Sequence, residues 1–202
     1  MKMMRLAERP EEAKGVQCAR TVTLSELRVI IHEAAATAST LPSSVGLYEE
    51  GSEWHHIFVL IDSKLLPNGV KDALIGGISI EKLASGGWSV GSVAGQQGNG
   101  PLLYRLAMEF ANEEGGVGLS KNAGGNVSPS AASVWQKFSV MSDSNSSSIT
   151  RKFVDDRDYF NAQTGELQQM RQRGRMKLDD EQADEAKSLI RNLWTAKDED
   201  DE

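Results

Sequence analysis

The stretch SVAGQQGNGPLLYRLAMEFANEEGG, Ser92 to Gly116, places a glycine-rich turn between a strand-like segment and an amphipathic helix. The residues before the turn, GWSVGSVA (87–94), have the composition of a β-strand. The stretch therefore predicts a strand, a turn and a buried helix in direct succession. The apolar residues that recur at helical spacing and share one face of this helix are Leu102, Leu103, Leu106, Ala107 and Phe110.

A turn that opens a helix can bind an anion without any basic side chain. The first N–H groups of a helix have no partner inside the helix, and they carry a partial positive charge. Glycine lets a ligand approach the backbone closely, and Pro101 removes only one donor. We therefore predict a phosphate cradle, with a purely structural turn as the alternative. Its amides belong to Gln97, Gly98, Asn99, Gly100 and Leu102.

Two common nucleotide motifs do not fit this turn. A P-loop needs a Lys followed by Ser or Thr directly after the last glycine, and here Pro101 and Leu102 follow Gly100. A dinucleotide fingerprint needs a third glycine, and Leu103 occupies that position. The anion that we predict is therefore not held by either of these nucleotide-binding folds.

The segments before the turn predict neighbouring strands. HHIFVLID (55–62) and ALIGGISIEKL (73–83) have strand composition, and a Pro-Asn-Gly turn separates them. Short connections favour antiparallel pairing. Further upstream, TLSELRVIIHEAAATAS (23–39) predicts an amphipathic helix that begins with a capping box at Thr23.

After the glycine-rich stretch, VGLS (117–120) is a short candidate strand. VSPSAASVWQKF (127–138) predicts a helix with Ser128 as its N-cap and Pro129 at its first position. The predicted fold class is therefore α+β, with a mixed and mostly antiparallel sheet flanked by helices.

Composition divides the chain into parts of different character. Residues 1–20 show no sustained period and predict an N-terminal arm, which leaves one main domain at 21–140. Residues 141–150 are rich in serine and predict a linker or exposed loop. Residues 151–202 predict a helical C-terminal extension that ends in the acidic tail KDEDDE. We expect this extension to serve self-assembly or contacts with protein partners.

Charge and apolar content exclude several classes of protein. A formal net charge of −7 argues against a nucleic-acid binder, although MRQRGRMK (170–177) is locally basic. No apolar run approaches the about 20 residues that span a bilayer. Because the N-terminus is charged and Cys18 is the only cysteine, we expect a cytoplasmic protein without a signal peptide, membrane contact or internal disulfide. No ligand spacing points to a metal.

The order of the predicted elements resembles the GNAT acyltransferase fold. In that family the turn after the fourth strand binds the pyrophosphate of acetyl-coenzyme A through backbone amides, within an Arg/Gln-x-x-Gly-x-Gly/Ala sequence. Here GQQGNG (95–100) keeps the Gly-x-Gly part, and Gly95 stands in place of the leading Arg or Gln. The resemblance implies that residues 21–140 form a GNAT-like domain and that acetyl-CoA is the cofactor.

Residues 88–138 also resemble GNAT-like proteins encoded by bacteriophages. Similar segments are the tryptophan strand at Trp88, the Gly-x-Gly-Pro-Leu-Leu-Tyr turn, Ala-Met-Glu in the following helix, and Val-Trp in the next helix. The resemblance implies a phage-encoded protein that resides in the host cytoplasm or in the virion.

Acetyl transfer to an amine needs a base, and often an acid for the leaving thiolate. In many GNAT enzymes a tyrosine on the helix after the fifth strand is that acid, but here the matching helix carries Trp135. Tyr104 is a substitute, although its apolar neighbours indicate core packing. At most one of His55 and His56 can face a cleft, because adjacent strand residues point to opposite faces. The candidate catalytic residues are Glu53, His56, Glu81 and Tyr104.

Two functions remain open from the sequence. The first is an acyl-CoA-dependent N-acyltransferase, which the glycine turn favours. The second is a catalytically inactive GNAT-fold protein, a phage structural or virion-associated component that acts through subunit contacts. The absent acid and the absent leading Arg or Gln favour the second function.

Overall fold

The computed structural model describes residues 37–96, 98–121, 127–144 and 148–199, with side chains up to Asn192. Several sequence predictions lie outside these residues. They concern the arm at 1–20, residues 23–36 of the helix predicted at 23–39, Cys18, Gln97 and the end of the acidic tail. The last residues of that predicted helix differ from the prediction, since Thr37 is extended and Ala38 begins a short 3₁₀ turn.

Seven strands form one open sheet in the order β1-β2-β3-β4-β5-β7-β6. All neighbours are antiparallel except β4 and β5, which are parallel. This arrangement confirms an α+β fold with a mixed and mostly antiparallel sheet. The strands are β1 (Val45–Gly51), β2 (His55–Asp62), β3 (Leu74–Lys82), β4 (Trp88–Gly95), β5 (Leu119–Ser120), β6 (Ile149–Val154) and β7 (Arg157–Ala162).

Five α-helices accompany the sheet in the described part of the chain, together with two short 3₁₀ turns at Ala38–Thr40 and Leu66–Asn68. The helix of the glycine-rich stretch lies in the connection from β4 to its parallel neighbour β5. The helices are α1 (Val70–Ala73), α2 (Gly100–Glu113), α3 (Pro129–Ser142), α4 (Glu166–Arg173) and α5 (Asp180–Glu199).

Both faces of the sheet are buried, because the central strands are apolar on both sides. On β2, Phe58 and Leu60 belong to a large core beneath α2, α3 and α4. Ile57, Val59 and Ile61 point the other way, into a second core with α1 and α5. The near-continuous apolar run of β2 therefore reflects burial between two layers of helices.

The expected N-cap of α3 is confirmed. The side-chain oxygen of Ser128 accepts a hydrogen bond from the N–H of Ala131 at 3.3 Å, and Pro129 is the first helical residue. A serine cap satisfies one of the unpaired donors at the start of a helix. The helix begins and packs as its sequence predicts.

The structure differs from the expected division near residue 141. Residues 149–162, expected to belong to a linker and a helical extension, form the β6–β7 hairpin, and β7 pairs with β5 of the same sheet. Helices return only at α4 and α5. The hairpin escapes prediction because its turn is Asp155-Asp156, both with positive φ, where Asn-Gly is the usual signal.

A second difference lies at the opposite edge of the sheet. Strand β1 begins at Val45, inside the segment TLPSSVG (40–46) that the sequence indicates as turn-rich. Its outer half, Glu49 to Gly51, is polar or lacks a side chain, so it shows no apolar run.

Candidate functional site

The glycine-rich turn directly follows β4 and is anchored to the start of β3. The backbone N–H of Gln96 donates to the carbonyl of Ile75 at 2.9 Å, and its side-chain Nε2 donates to the carbonyl of Leu74 at 2.9 Å. Gly98 has a φ of +88°, a conformation that favours glycine. The turn is thus fixed to the sheet at one end and leads into α2 at the other.

The amides of this turn divide into engaged and open donors. The N–H of Asn99 donates to the carbonyl of Gln96 at 3.1 Å. This amide is therefore engaged within the turn, whereas the sequence predicts it as a donor to the anion. No described acceptor faces the N–H groups of Gly98, Gly100 and Leu102. Within the described residues, these three backbone donors at the N-terminus of α2 have no acceptor, and an anion is favoured at such a position.

Gly100 has no structural reason to be glycine. Its φ is not positive, and a Cβ added there would meet no described atom within 4 Å. At Gly95, in contrast, an added Cβ would lie 3.3 Å from Cδ1 of Leu103. A glycine that the fold does not require is typical of a place where a ligand approaches the backbone.

The described pairing of β4 with β5 is confined to the start of β4. They share only the pairs Trp88↔Leu119 and Ser89↔Ser120. The register of β4 against β3 shifts after Val90, which leaves Gly91 as a β-bulge. From Gly91 to Gly95 the strand is about 13 Å long, at the usual rise of about 3.3 Å per residue. Its β5-facing edge there has no described strand partner and ends at the glycine turn.

Polar side chains form a row across four strands at this short pairing. His55 is opposite Glu81, Glu81 is opposite Ser89, and Ser89 is opposite Ser120. Directly opposite residues share one face of a sheet, so the four side chains lie on the same face. Glu81 and His55 are exposed, whereas Ser89 and Ser120 are buried.

The carboxylate of Glu81 lies over the bulge. A Cβ built on Gly91 would be 3.4 Å from Oε1 of Glu81 and 2.9 Å from Oγ of Ser79. Ser79 and Ser92 hydrogen-bond through their hydroxyls at 2.8 Å. Of the predicted base candidates, Glu81 is therefore the one beside the bulge of β4. The sequence did not indicate Ser79, Ser89 or Gly91, since only the strand register brings them to Glu81.

The other base candidates lie elsewhere. Glu53 is exposed in the turn between β1 and β2. His56 faces the large core, where its ring stacks on Phe110 with 4.1 Å between centroids and its Nε2 lies 3.2 Å from Oε1 of Glu49. Phe110 is ten residues along α2 from Gly100, about 15 Å at 1.5 Å per residue. His56 is thus packed and hydrogen-bonded away from the glycine turn.

Tyr104, the substitute acid, is part of the core. It is 2% exposed and packs edge-on against Trp135, with 5.1 Å between the ring centroids. Burial raises the pKa of the Tyr104 phenol above its usual value. Trp135 also contacts Phe160 and is 2% exposed, so it belongs to the buried core.

The basic stretch at 170–177 is engaged within the protein. Arg171 binds both carboxylate oxygens of Glu49, at 3.0 and 2.6 Å, and contacts Glu113 at 2.6 Å. Arg173 donates to the carbonyls of Leu41 and Pro42. The sequence could not indicate these pairs, because Glu49 and Arg171 are 122 residues apart.

Within the described ranges, no group of three or more His, Cys, Asp or Glu side chains converges to hold a metal ion. None of the helices in those ranges combines the length and apolar character that a membrane span requires. Comparisons with protein-family models, with curated proteins and with solved structures find no match for this chain.

Proposed function

We propose that this protein is an acyl-CoA-dependent N-acyltransferase whose pyrophosphate cradle is the turn after β4. The observation that carries the proposal is the set of open amides at Gly98, Gly100 and Leu102, next to a Gly100 that the fold does not require. Gln97 completes the cradle in this proposal. Acetyl-CoA is the cofactor that the GNAT resemblance implies.

In this proposal the thioester lies at the Gly91 bulge. If acetyl-CoA extends from the cradle along β4, it reaches the bulge after about 13 Å. There the amine nitrogen bonds to the acyl carbon, the carbon–sulfur bond breaks, and Glu81 accepts the proton that the amine loses. His55 is directly opposite Glu81 in the strand register, on the same face of the sheet. The leaving thiolate is protonated by solvent, since Tyr104 is buried.

A second candidate function is a catalytically inactive GNAT-fold protein, a phage structural or virion-associated component. The observation that favours it is Trp135, which is 2% exposed and replaces the usual acid. In this case the turn is architectural, and the protein acts through contacts with other subunits. The resemblance to phage-encoded proteins supports either function, in the host cytoplasm or in the virion.

The test is a calorimetric titration of the full chain with acetyl-CoA, beside two variants of one residue. Gly98→Asp places a negative charge in the cradle, whereas Gly98→Asn has the same shape without the charge, and both residues tolerate positive φ. We expect micromolar binding by the wild type, a loss of about tenfold or more in Gly98→Asp, and a smaller loss in Gly98→Asn.

Two controls separate the cradle from the fold. Gly86 has a φ of +81° and no neighbours within 4 Å of an added Cβ, but it lies at the opposite end of β4, so Gly86→Asp should leave binding unchanged. Gly100→Ala should weaken binding of acetyl-CoA. It should also raise the free energy of unfolding by about 0.4–1 kcal/mol, because alanine lowers the conformational entropy of the unfolded chain and fits the folded one. If the wild type does not bind acetyl-CoA at millimolar concentration, the acyltransferase proposal is contradicted and the second function is supported.

A further inference from the structure

The two edges of the sheet differ in how the described residues cover them. At the β1 edge, Leu47 forms a parallel bridge with Arg175, and the N–H of Met176 donates to the carbonyl of Leu47 at 2.9 Å. At the other edge, β6 has β7 as its only strand partner in the described ranges. Among the described residues, one edge is therefore covered by the chain, and the other, along Arg151 to Phe153, has no second strand partner; we call it the open edge.

The open edge is a regular strand. β6 and β7 pair without a register shift from Ile149↔Ala162 to Val154↔Arg157. The N–H of Gln163 donates to the carbonyl of Ser148 at 2.9 Å, so position 148 hydrogen-bonds towards β7. Because this direction alternates along an antiparallel strand, the backbone groups of Arg151 and Phe153 point away from β7. They present donors and acceptors at the open edge.

The side chains of this edge are apolar at one position and charged around it. Phe153 is 69% exposed, an unusual state for a phenylalanine on a strand. Arg151 and Lys152 precede it, and the turn residues Asp155 and Asp156 follow. The edge therefore has a basic half and an acidic half on either side of an exposed aromatic ring.

Five antiparallel registers let the outward groups of two copies of β6 face each other, with two-fold axes at residues 150 to 154. An axis at Thr150 places Phe153 opposite position 147, and an axis at Val154 places it opposite Asp155, so neither stacks the two rings. A two-fold axis at Arg151 places that arginine opposite its own counterpart, and an axis at Lys152 does the same with the lysine. Like charges directly opposite each other are destabilising. An axis at Phe153 stacks the two rings instead and brings Arg151 of each copy beside Asp155 of the other.

We propose that β6 pairs with β6 of a second copy of this chain about a two-fold axis at Phe153. The pairing joins two sheets into one and covers both open edges, as isologous strand addition does in other dimers. Val140 and Met141, exposed on α3, which packs against β6, extend the apolar surface. This inference is independent of the proposed acyl transfer.

The test measures the mass of the full chain by light scattering or sedimentation over a wide range of concentration. We expect a dimer that dissociates on dilution. Phe153→Asp should raise the dissociation constant at least about tenfold, since it removes the stacked rings and opposes two carboxylates. Trp54→Asp is the matched control, because Trp54 is 63% exposed but lies between β1 and β2. That variant should remain dimeric.

A second measurement tests the register without a disruptive substitution. In a Cys18→Ser background, Phe153→Cys should form an intermolecular disulfide on mild oxidation, because paired Cα atoms across a two-fold are about 5.5 Å apart. Lys152→Cys should not, since its counterpart would be Val154. A wild type that is monomeric at every concentration would overturn the proposal, and so would efficient cross-linking through Lys152→Cys alone.

Discussion

At the scale of single residues, Glu49 joins β1 to α4. Its side chain is only 7% exposed and binds both His56 and Arg171. Burial by itself would raise the pKa of Glu49, but the hydrogen bonds from His56 and Arg171 outweigh burial and hold the pKa at about 2, below the usual 4.5. The carboxylate is therefore charged in the folded protein at every pH above that value.

We expect Glu49→Gln to lower the free energy of unfolding by about 2–3 kcal/mol at pH 7, because Arg171 keeps its charge and loses its buried partner. The folded pKa lies below the unfolded one, so this stabilisation is complete above pH 4.5 and is lost as the pH falls towards 2. Urea unfolding of both proteins at several pH values measures the difference, which should shrink across that window.

The matched control is Glu50→Gln on the same strand. Glu50 pairs with Lys187 at 2.7 Å, but its side chain is 46% exposed, so we expect a cost below about 1 kcal/mol. An equal cost for the two substitutions, or a Glu49→Gln effect that persists at pH 2, would contradict the role of the buried carboxylate.

At the scale of elements, close packing fixes α5 on the sheet at Gly77. A Cβ added there would lie 2.1 Å from Cδ1 of Ile190 and 3.1 Å from the carbonyl oxygen of Phe58. Since Ile190 is 1% exposed, the helix has to shift to make room. The glycine thus sets how closely α5 approaches β3.

Gly77→Ala should lower the free energy of unfolding by about 1–3 kcal/mol through overpacking. Ile190→Val, which removes Cδ1, should cost about 0.5–1.5 kcal/mol alone. Because the two changes meet at one contact, the double variant should lose at least about 0.5 kcal/mol less than their sum. If chemical denaturation shows that the two losses are additive, the contact is contradicted. Gly100→Ala is the control, because its added methyl group fills open space and should not lower the free energy of unfolding.

Elements with buried faces could be predicted from the sequence, and elements at the sheet edge could not. The central strands β2 and β3 carry apolar runs that are buried on both faces, and α2 carries apolar residues at helical spacing. Strand β6 is different, because it exposes Thr150 to Phe153 and therefore shows no apolar alternation. For the same physical reason the sequence assigns this hairpin to the end of a linker and to a helical extension.

At the scale of the whole molecule, the part after residue 148 is integral to the sheet. β7 pairs with β5, Arg105 on α2 forms a buried ion pair with Glu166 at 2.6 Å, and α5 covers the second core. A chain that ends at residue 148 should lose near-UV circular dichroism and cooperative unfolding. A chain that ends after Asn192 keeps the contacts of Ile190 and should retain both.

Cooperative unfolding and acetyl-CoA binding by the shorter chain would contradict this view. Such a result would instead support a separate C-terminal extension, as the composition predicts. The same long-range contacts explain why the candidate site was only partly predictable. Glu81 was a candidate from sequence, but its position over Gly91 depends on the pairing of three strands.

The short parallel contact between β4 and β5 also has a mechanical meaning. Strands β1 to β4 form one leaf, and β5, β7 and β6 form another. Among the described residues, the strands of the two leaves pair only at Trp88↔Leu119 and Ser89↔Ser120. A few backbone hydrogen bonds contribute about 2–4 kcal/mol in total. The large core beneath α2 takes residues from both leaves, so burial of side chains, more than strand pairing, joins the two halves of the sheet.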